Sequence, residues 1–275
     1  MVGQTKLLKY TEEMVRNDKF PRFSIFVGER GSEKNDFAPY IAGYMCADYI
    51  RACDVKIDTI RELIEQSYKV RGITVISIPD ADTMSVPAKN ALLKITEEPP
   101  NNAYIIMTLE DVNNTLDTIK SRASIFRLEQ YKRYEIYEYA QKVLKDDGKA
   151  RLAASICSTP GEVDLFREEL GGERIVCLFD YVNLVIEHIE EASPANALKI
   201  SEKVNLKNEP EQGKYDLKMF WKAFMVLCGE HILDSSHYIE WARITSKTLT
   251  KLCRIKGINK QMLFDGWVFD IREWR

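Results

Sequence analysis

Apolar positions in the first half of the chain fall into short continuous runs separated by helical stripes. "FSIFVG" (23–28) is apolar and ends in glycine, which predicts a buried strand feeding a turn. "DTIRELIEQSYKV" (58–70) places Ile60, Leu63, Ile64 and Ser67 on one helical face, with Asp58 as its N-cap. "GITVISIPDAD" (72–82) is apolar at both parities, the pattern of a strand covered on both faces. In "SVPAKNALLKITEEPP" (85–100), Ser85 and Pro87 suit a helix start. Ala88, Ala91, Leu92 and Ile95 form its stripe, and Pro99-Pro100 stop it. "AYIIMTL" (103–109) reads as another buried strand and "SIFRLE" (124–129) as a shorter one. Strands alternating with helices predict a parallel α/β sheet.

After about Gln130 the strand pattern ceases. "YEIYEYAQKVLKDDG", "KARLAASICST" and "PGEVDLFREELGG" read as three short helices, with Gly171-Gly172 as a hinge. From Glu173 onward the pattern is helical, through "RIVCLFDYVNLVIEHIEEA", "PANALKISEKV", "YDLKMFWKAFMVLCGEHIL", "YIEWARITSKTLTKLCRI" and "NKQMLFDGWVFDIREW". The polar "NLKNEPEQGK" is a loop. Phe264, Trp267, Ile271 and Trp274 of the last helix are expected to pack against neighbouring helices, partly across subunits. The chain has no internal repeat and no low-complexity tract.

Composition narrows the function classes. A chain of 275 residues holds two or three domains, and 45% hydrophobic with 29% charged residues is ordinary for a globular protein. No apolar stretch approaches the roughly 20 residues that span a membrane. "MVGQTKLLKYTEEM" has no long apolar core, so no signal peptide is expected and the cytoplasm is the expected location. A net charge of −3 argues against a protein that grips DNA alone through a broad basic face. Cys46, Cys53, Cys157, Cys177, Cys228 and Cys253 form no Cys-x-x-Cys pair. They are expected to be reduced, mostly buried thiols, without a structural zinc site. His188, His231 and His237 lack ligand spacing and receive no chemistry.

"FVGERGSEKN" (26–35) nearly spells a phosphate-binding loop. Gly28, Gly31 and Lys34 suit the motif, but Glu33 stands at its glycine before the lysine and Asn35 at its Ser or Thr. A working loop uses small residues so that backbone N–H groups reach the phosphates, puts its lysine on the terminal phosphates and a hydroxyl on Mg²⁺. Glu33 brings a side chain and a negative charge to that place. At ~4 Å and an effective dielectric of ~20, such repulsion is about 4 kcal/mol per charge pair. Lys34 then reads more readily as a solvated helix lysine than as a ligand. Asp80 and Asp82 read more readily as the end of a strand and the start of a turn than as metal ligands.

Residues 76–128, "ISIPDADTMSVPAKNALLKITEEPPNNAYIIMTLEDVNNTLDTIKSRASIFRL", resemble the clamp-loader branch of the AAA+ ATPases. That branch carries a hydrophobic strand, an acidic box, Asn-Ala-Leu-Leu-Lys-x-x-Glu-Glu-Pro-Pro, a further strand and Thr-Ile-x-Ser-Arg-Cys. Here the corresponding elements are Pro79 to Asp82, Asn90 to Pro100 and Thr118 to Ala123. The resemblance is densest over 72–128, extends over 4–70 and holds in pattern only beyond. It implies a RecA-like AAA+ α/β domain (1–128), a small helical lid (129–172) and an all-α collar that assembles a ring (173–275). A cysteine-rich zinc insert, usual in the family near residues 46–56, is absent from "CADYIRACDVK", so no zinc is expected.

The resemblance also supplies roles. In the family's acidic box the first carboxylate supports Mg²⁺ and the second positions the attacking water; here Pro79 and Asp80 stand there. The sensor arginine of the lid falls at Glu162. The implied site is a degenerate one, with weak or absent ATP binding and no hydrolysis. Arg122, with Ser121, matches the arginine that enters a neighbour's ATP site; the bland reading is an arginine paired with a local carboxylate. Lys89, near a helix start, is read equally as a DNA-phosphate contact or as a surface lysine. The expected work is that of a non-hydrolysing, rigid ring partner in a DNA polymerase III clamp loader. Its expected partners are ATPase subunits of the gamma/tau type, a delta-type subunit, the sliding clamp and primer-template DNA. The alternatives are a weak ATPase using Lys34 and Asp80, and an AAA+ adaptor outside replication.

Overall fold

The β-branched and aromatic run Phe23–Val27 forms β1, every residue of which is buried. The computed structural model describes residues 1–167, 173–191, 203–207, 213–233, 235–255 and 257–273. β1 lies between β4 (Ala103–Leu109) and β5 (Ser124–Arg127) in a five-stranded sheet of order β2–β3–β4–β1–β5. Every pairing is parallel: Phe23 opposes Ile105, Ser24 opposes Ser124, and β3 (Thr74–Ile78) joins β4 with Thr74 opposite Ala103. Parallel strands need crossovers, and the helices supply them. α1 (Thr5–Arg16) and α2 (Phe37–Met45) cover one face; α3 (Ile57–Lys69) and α4 (Val86–Glu97) cover the other. The alternation of the strand sorts its residues accordingly. Phe23, Ile25 and Val27 pack with Ile60, Leu63, Leu92 and Ile95. Phe26 packs with Phe37, Ile41 and Phe126, its ring stacked on both Phe37 and Phe126.

Two details differ from the pattern. Asp58 is not the cap of α3: Lys56 is the N-cap residue, and Asp54 accepts from the Lys56 N–H and the Thr59 hydroxyl instead. The edge strand β2 (Asp48–Arg51) escapes the periodicity because it is four residues long and mostly exposed. α4 follows the pattern closely. Ser85 caps it by accepting from the Ala88 N–H, and the helix ends at Glu97, two residues before Pro99.

By its internal contacts the chain divides into two units, Met1–Glu135 with Thr159–Glu162, and Ile136–Ser158 with Val163–Arg275. α6 (Arg133–Leu144) leads into the second unit, α7 (Asp147–Ile156) lies within it, and α8 (Pro160–Asp164) crosses its boundary. There α7 packs against α9 (Glu173–Glu191) and α10 (Leu217–Glu230). α11 (His237–Arg254) lies on α10, and α12 (Lys260–Arg272) on α11. Trp221, Trp241 and Trp267 are buried here; the Trp241 indole N–H donates to the Ile271 carbonyl and that of Trp267 to the Thr245 hydroxyl. Phe264 and Ile271 are buried beside them, while Trp274 and the Gly171-Gly172 hinge lie outside the described residues. The reading that strands cease after Gln130 is corrected by a two-residue parallel pair, β6 (Val204–Asn205) with β7 (Tyr215–Asp216). Val204, taken as the end of a helix, is a strand residue; most of "PANALKISEKV" lies outside the described residues. The thiols are also corrected. Only Cys157 and Cys228 are buried; Cys46, Cys53, Cys177 and Cys253 are exposed.

Candidate nucleotide loop and arginine site

β1 delivers the chain into the loop that follows it, and Gly28 anchors that turn by donating its N–H to the Leu109 carbonyl of β4. A Cβ on Gly28 would stand 2.6 Å from the Ser32 hydroxyl, so the glycine is required by close approach. Gly31 has φ +77°, and its carbonyl accepts the Gly161 N–H at 2.9 Å. Thr159 Oγ1 donates to the Arg30 carbonyl, and the Tyr131 hydroxyl to the Ser32 carbonyl. Burial, with the Glu33 carboxylate nearby, pushes the Tyr131 phenol up, so it stays a neutral donor. Glu33 occupies the left-handed region at φ 58°, where a working loop has glycine, and its carboxylate accepts the Val2 N–H at 2.6 Å. Gln4 exchanges two hydrogen bonds with the Glu129 backbone, tying the same segment down.

Lys34 is not a solvated lysine. It is 3% exposed, and its Nζ pairs with Asp80 Oδ1 at 3.2 Å. Asn35 donates through Nδ2 to the other Asp80 oxygen at 3.0 Å and accepts from the Thr108 hydroxyl through Oδ1. The Asp80 N–H in turn donates to Thr108 Oγ1. Asp80, in the left-handed region at φ 49°, is therefore drawn into the loop network as well as ending β3. Asp82 has a structural occupation: its carboxylate accepts from the Glu110 and Asp111 N–H groups and from the Asn114 side-chain amide. Lys89 is not the exposed, partnerless surface lysine of the second reading. It is 9% exposed and donates to the Asn114 carbonyl. A depression of about 460 Å³ opens at the carboxyl ends of β2 and β3, lined by Arg51, Cys53, Asp54, Pro79, Asp80 and Thr83 but by no residue of 28–36. Among the described residues no three His, Cys, Asp or Glu side chains are grouped to hold a metal ion, and no helix is long and apolar enough to cross a membrane.

Arg122 follows α5 (Asp117–Lys120) and stands apart from that network. Its Nη1 donates to the Thr118 carbonyl at 2.6 Å and its Nη2 to Glu97 Oε1 at 2.5 Å, with one third of the side chain exposed. The local carboxylate of the bland reading is thus Glu97, the last residue of α4. Ser121 turns its hydroxyl to the Thr118 carbonyl. Glu162 sits in the segment packed on the loop, its N–H directed to Thr159.

Residues 50–132 match the family described as DNA polymerase III, delta subunit. The chain is 31% identical over 110 residues to the DNA polymerase III gamma subunit of Buchnera aphidicola subsp. Schizaphis graminum, covering 38% of this chain and 30% of that one. It is 32% identical over 82 residues to the delta' subunit of Haemophilus influenzae, covering 29% and 25%. Over this stretch it is similar to subunits of the clamp-loader branch of the AAA+ proteins. Among solved structures, a DNA polymerase III gamma subunit-related protein of Thermotoga maritima matches 98% of this chain and 99% of its own at a TM-score of 0.52 and 15% identity, which speaks to the fold. The chain spans between 25% and 49% of the length of the first curated relatives it matches.

The residues that sequence reasoning missed are those that lock the loop. Thr108 signals itself only as the hydroxyl near the end of an otherwise apolar strand. Gly161 is visible in "STPGEVDLF" as a turn, but its closeness to Gly31, across some 130 residues of chain, is a tertiary fact. Glu97 lies inside the Glu-Glu-Pro-Pro string that carried the resemblance, with nothing in the string to tie it to Arg122.

Proposed function

We propose that this chain is a non-hydrolysing subunit of a DNA polymerase III clamp loader, a rigid ring partner that helps load the sliding clamp on primed DNA and lends Arg122 to a neighbour's ATP site. The observation that carries it is the Lys34–Asp80 ion pair at 3.2 Å, whose second carboxylate oxygen accepts from Asn35, itself held by Thr108. A lysine committed to a carboxylate is not free for terminal phosphates, and an asparagine amide bonded to Asp80 and Thr108 offers no hydroxyl to Mg²⁺. Glu33 adds a carboxylate where phosphate charge would sit. These residues do not fit MgATP, and no step of a reaction runs through this loop. The division into α/β domain (1–128), lid (129–172) and collar (173–275), the absence of zinc and the named partners belong to the same proposal.

Arg122 keeps the chemistry that the loop has lost. Its charge is permanent, its fork suits phosphate oxygens, and one third of the side chain faces solvent. Calorimetric titration is expected to show no micromolar binding of MgATP to the isolated chain, and elemental analysis no stoichiometric zinc. In the reconstituted clamp loader, Arg122→Ala is expected to leave assembly intact and to lower ATP hydrolysis with clamp and primed DNA. Such arginines are worth about 10³–10⁵ in rate at a single site, diluted here by the other sites of the ring. Unchanged hydrolysis in an intact complex would remove the trans role. MgATP turnover abolished by Lys34→Ala would favour the weak-ATPase reading instead.

A further inference from the structure

We propose that Glu97 is a positioning residue for Arg122: with the Thr118 carbonyl it fixes the guanidinium before any neighbour arrives. The inference rests on the trans reading of Arg122 and deepens it. An exposed arginine samples many rotamers, and a side chain that must meet a phosphate in one geometry loses rate when it is free to miss. Here two anchors act at once, Nη1 on the Thr118 carbonyl at 2.6 Å and Nη2 on Glu97 Oε1 at 2.5 Å. They come from two elements that pack together, the C-terminal end of α4 and the helix α5. The nearby acid Asp117 is otherwise committed, to Lys120 at 2.8 Å, which leaves Glu97 as the carboxylate that holds the fork.

Donor counting shows that the anchoring leaves the arginine competent. A guanidinium has five N–H groups, and these bonds use two of them. The remaining N–H groups stay available to a phosphate oxygen while the two anchors stay made. Half of the Glu97 side chain is exposed, so water screens its charge and the pair does not neutralise the arginine as a buried carboxylate would. The arrangement is that of a ligand oriented by a second group behind it, as metal-binding histidines are oriented by carboxylates.

The test uses the reconstituted clamp-loader complex, with ATP hydrolysis measured in the presence of clamp and primed DNA for wild type, Glu97→Ala, Glu97→Gln, Arg122→Ala and Glu97→Ala/Arg122→Ala. Glu97→Ala is expected to lower kcat about three- to tenfold at unchanged KM for ATP. That is less than the roughly 10²-fold that a 1 Å misplacement can cost, because the Thr118 carbonyl still holds one side. Glu97→Gln keeps an acceptor oxygen and is expected to fall between wild type and Glu97→Ala. In the Arg122→Ala background Glu97→Ala should add nothing, since its effect passes through the arginine. An unchanged or raised kcat in Glu97→Ala, with Arg122→Ala still impaired, would overturn the proposal. So would a Glu97→Ala loss that persists undiminished in the Arg122→Ala background. If both Glu97 variants fail to assemble while Arg122→Ala assembles, Glu97 is an assembly residue and the proposal falls. If Arg122→Ala itself has no effect in an intact complex, the trans reading fails first and this proposal fails with it.

Discussion

Glycine at 161 and glycine at 43 respond oppositely to the same small change. A Cβ on Gly161 would lie 2.6 Å from the Gly31 Cα, a backbone atom that cannot turn aside. Gly161→Ala is expected to destabilise the first unit by about 1–3 kcal/mol through overpacking. Gly43, in α2, has nothing within 4 Å of its Cβ position, and Gly43→Ala is expected to stabilise by roughly 0.5–1 kcal/mol. Urea unfolding followed by far-ultraviolet circular dichroism reads both; equal signs would show that the contact between Gly31 and Gly161 is not made in solution. Thiol labelling gives a second measurement at this scale. Burial pushes the Cys228 thiol up to about 12, and Cys157 is buried as well. At pH 8 the native protein is expected to modify quickly at Cys46, Cys53, Cys177 and Cys253 only, with the other two following unfolding. Rapid labelling of Cys228 in native protein would contradict its place in the helical core.

At the scale of single elements, helix caps carry measurable weight. Ser85 caps α4 through the Ala88 N–H, and Asp216 caps α10 through the Lys218 and Met219 N–H groups. Ser85→Ala and Asp216→Ala are each expected to cost about 1 kcal/mol, the first in the α/β unit and the second in the helical one. All four tryptophans lie beyond residue 220, so tryptophan fluorescence reports the Asp216 variant and should be nearly silent to the Ser85 variant. Elements were legible where burial wrote a strong period. β3 and β4 read as continuous apolar runs because helices cover both their faces, and Ser85, Pro87 and Pro99 bracketed α4 within a residue or two. β2 was illegible because an exposed four-residue edge strand has no alternation to show, and β6 and β7 because two residues make no period. At the candidate site the departures from the phosphate-loop motif, Glu33 and Asn35, were readable from the sequence alone. The burial of Lys34 was not, because the group that takes it, Asp80, arrives from the end of β3.

For the whole molecule, the placement of α7 decides where the chain can be cut. Its buried residues Ala150, Ala153, Ala154 and Ile156 belong to a helix that packs against α9 and α10. A chain ending after Arg167 would keep α7 and remove both partners, leaving an apolar face uncovered. That truncation is expected to bind a hydrophobic dye and to aggregate more readily than the full chain, measured by dye fluorescence and light scattering. A monodisperse, dye-silent fragment would show that helices α6 to α8 stand alone as a lid.

The place of β1 in the sheet sets the order in which the chain can fold. Its neighbours on either side are strands made about 80 and about 100 residues later. No hairpin closes early, because every strand pairing of this sheet is parallel. During synthesis "FSIFV" therefore leaves the ribosome with nothing to pair against, and waits until β4 and then β5 have followed. Loops of that length delay the first productive contacts, so folding of this unit is slow for its size and exposes its most apolar strand meanwhile. A chaperone that shields short apolar segments should bind nascent chains that end before β5, and release them once β5 (Ser124–Arg127) is out.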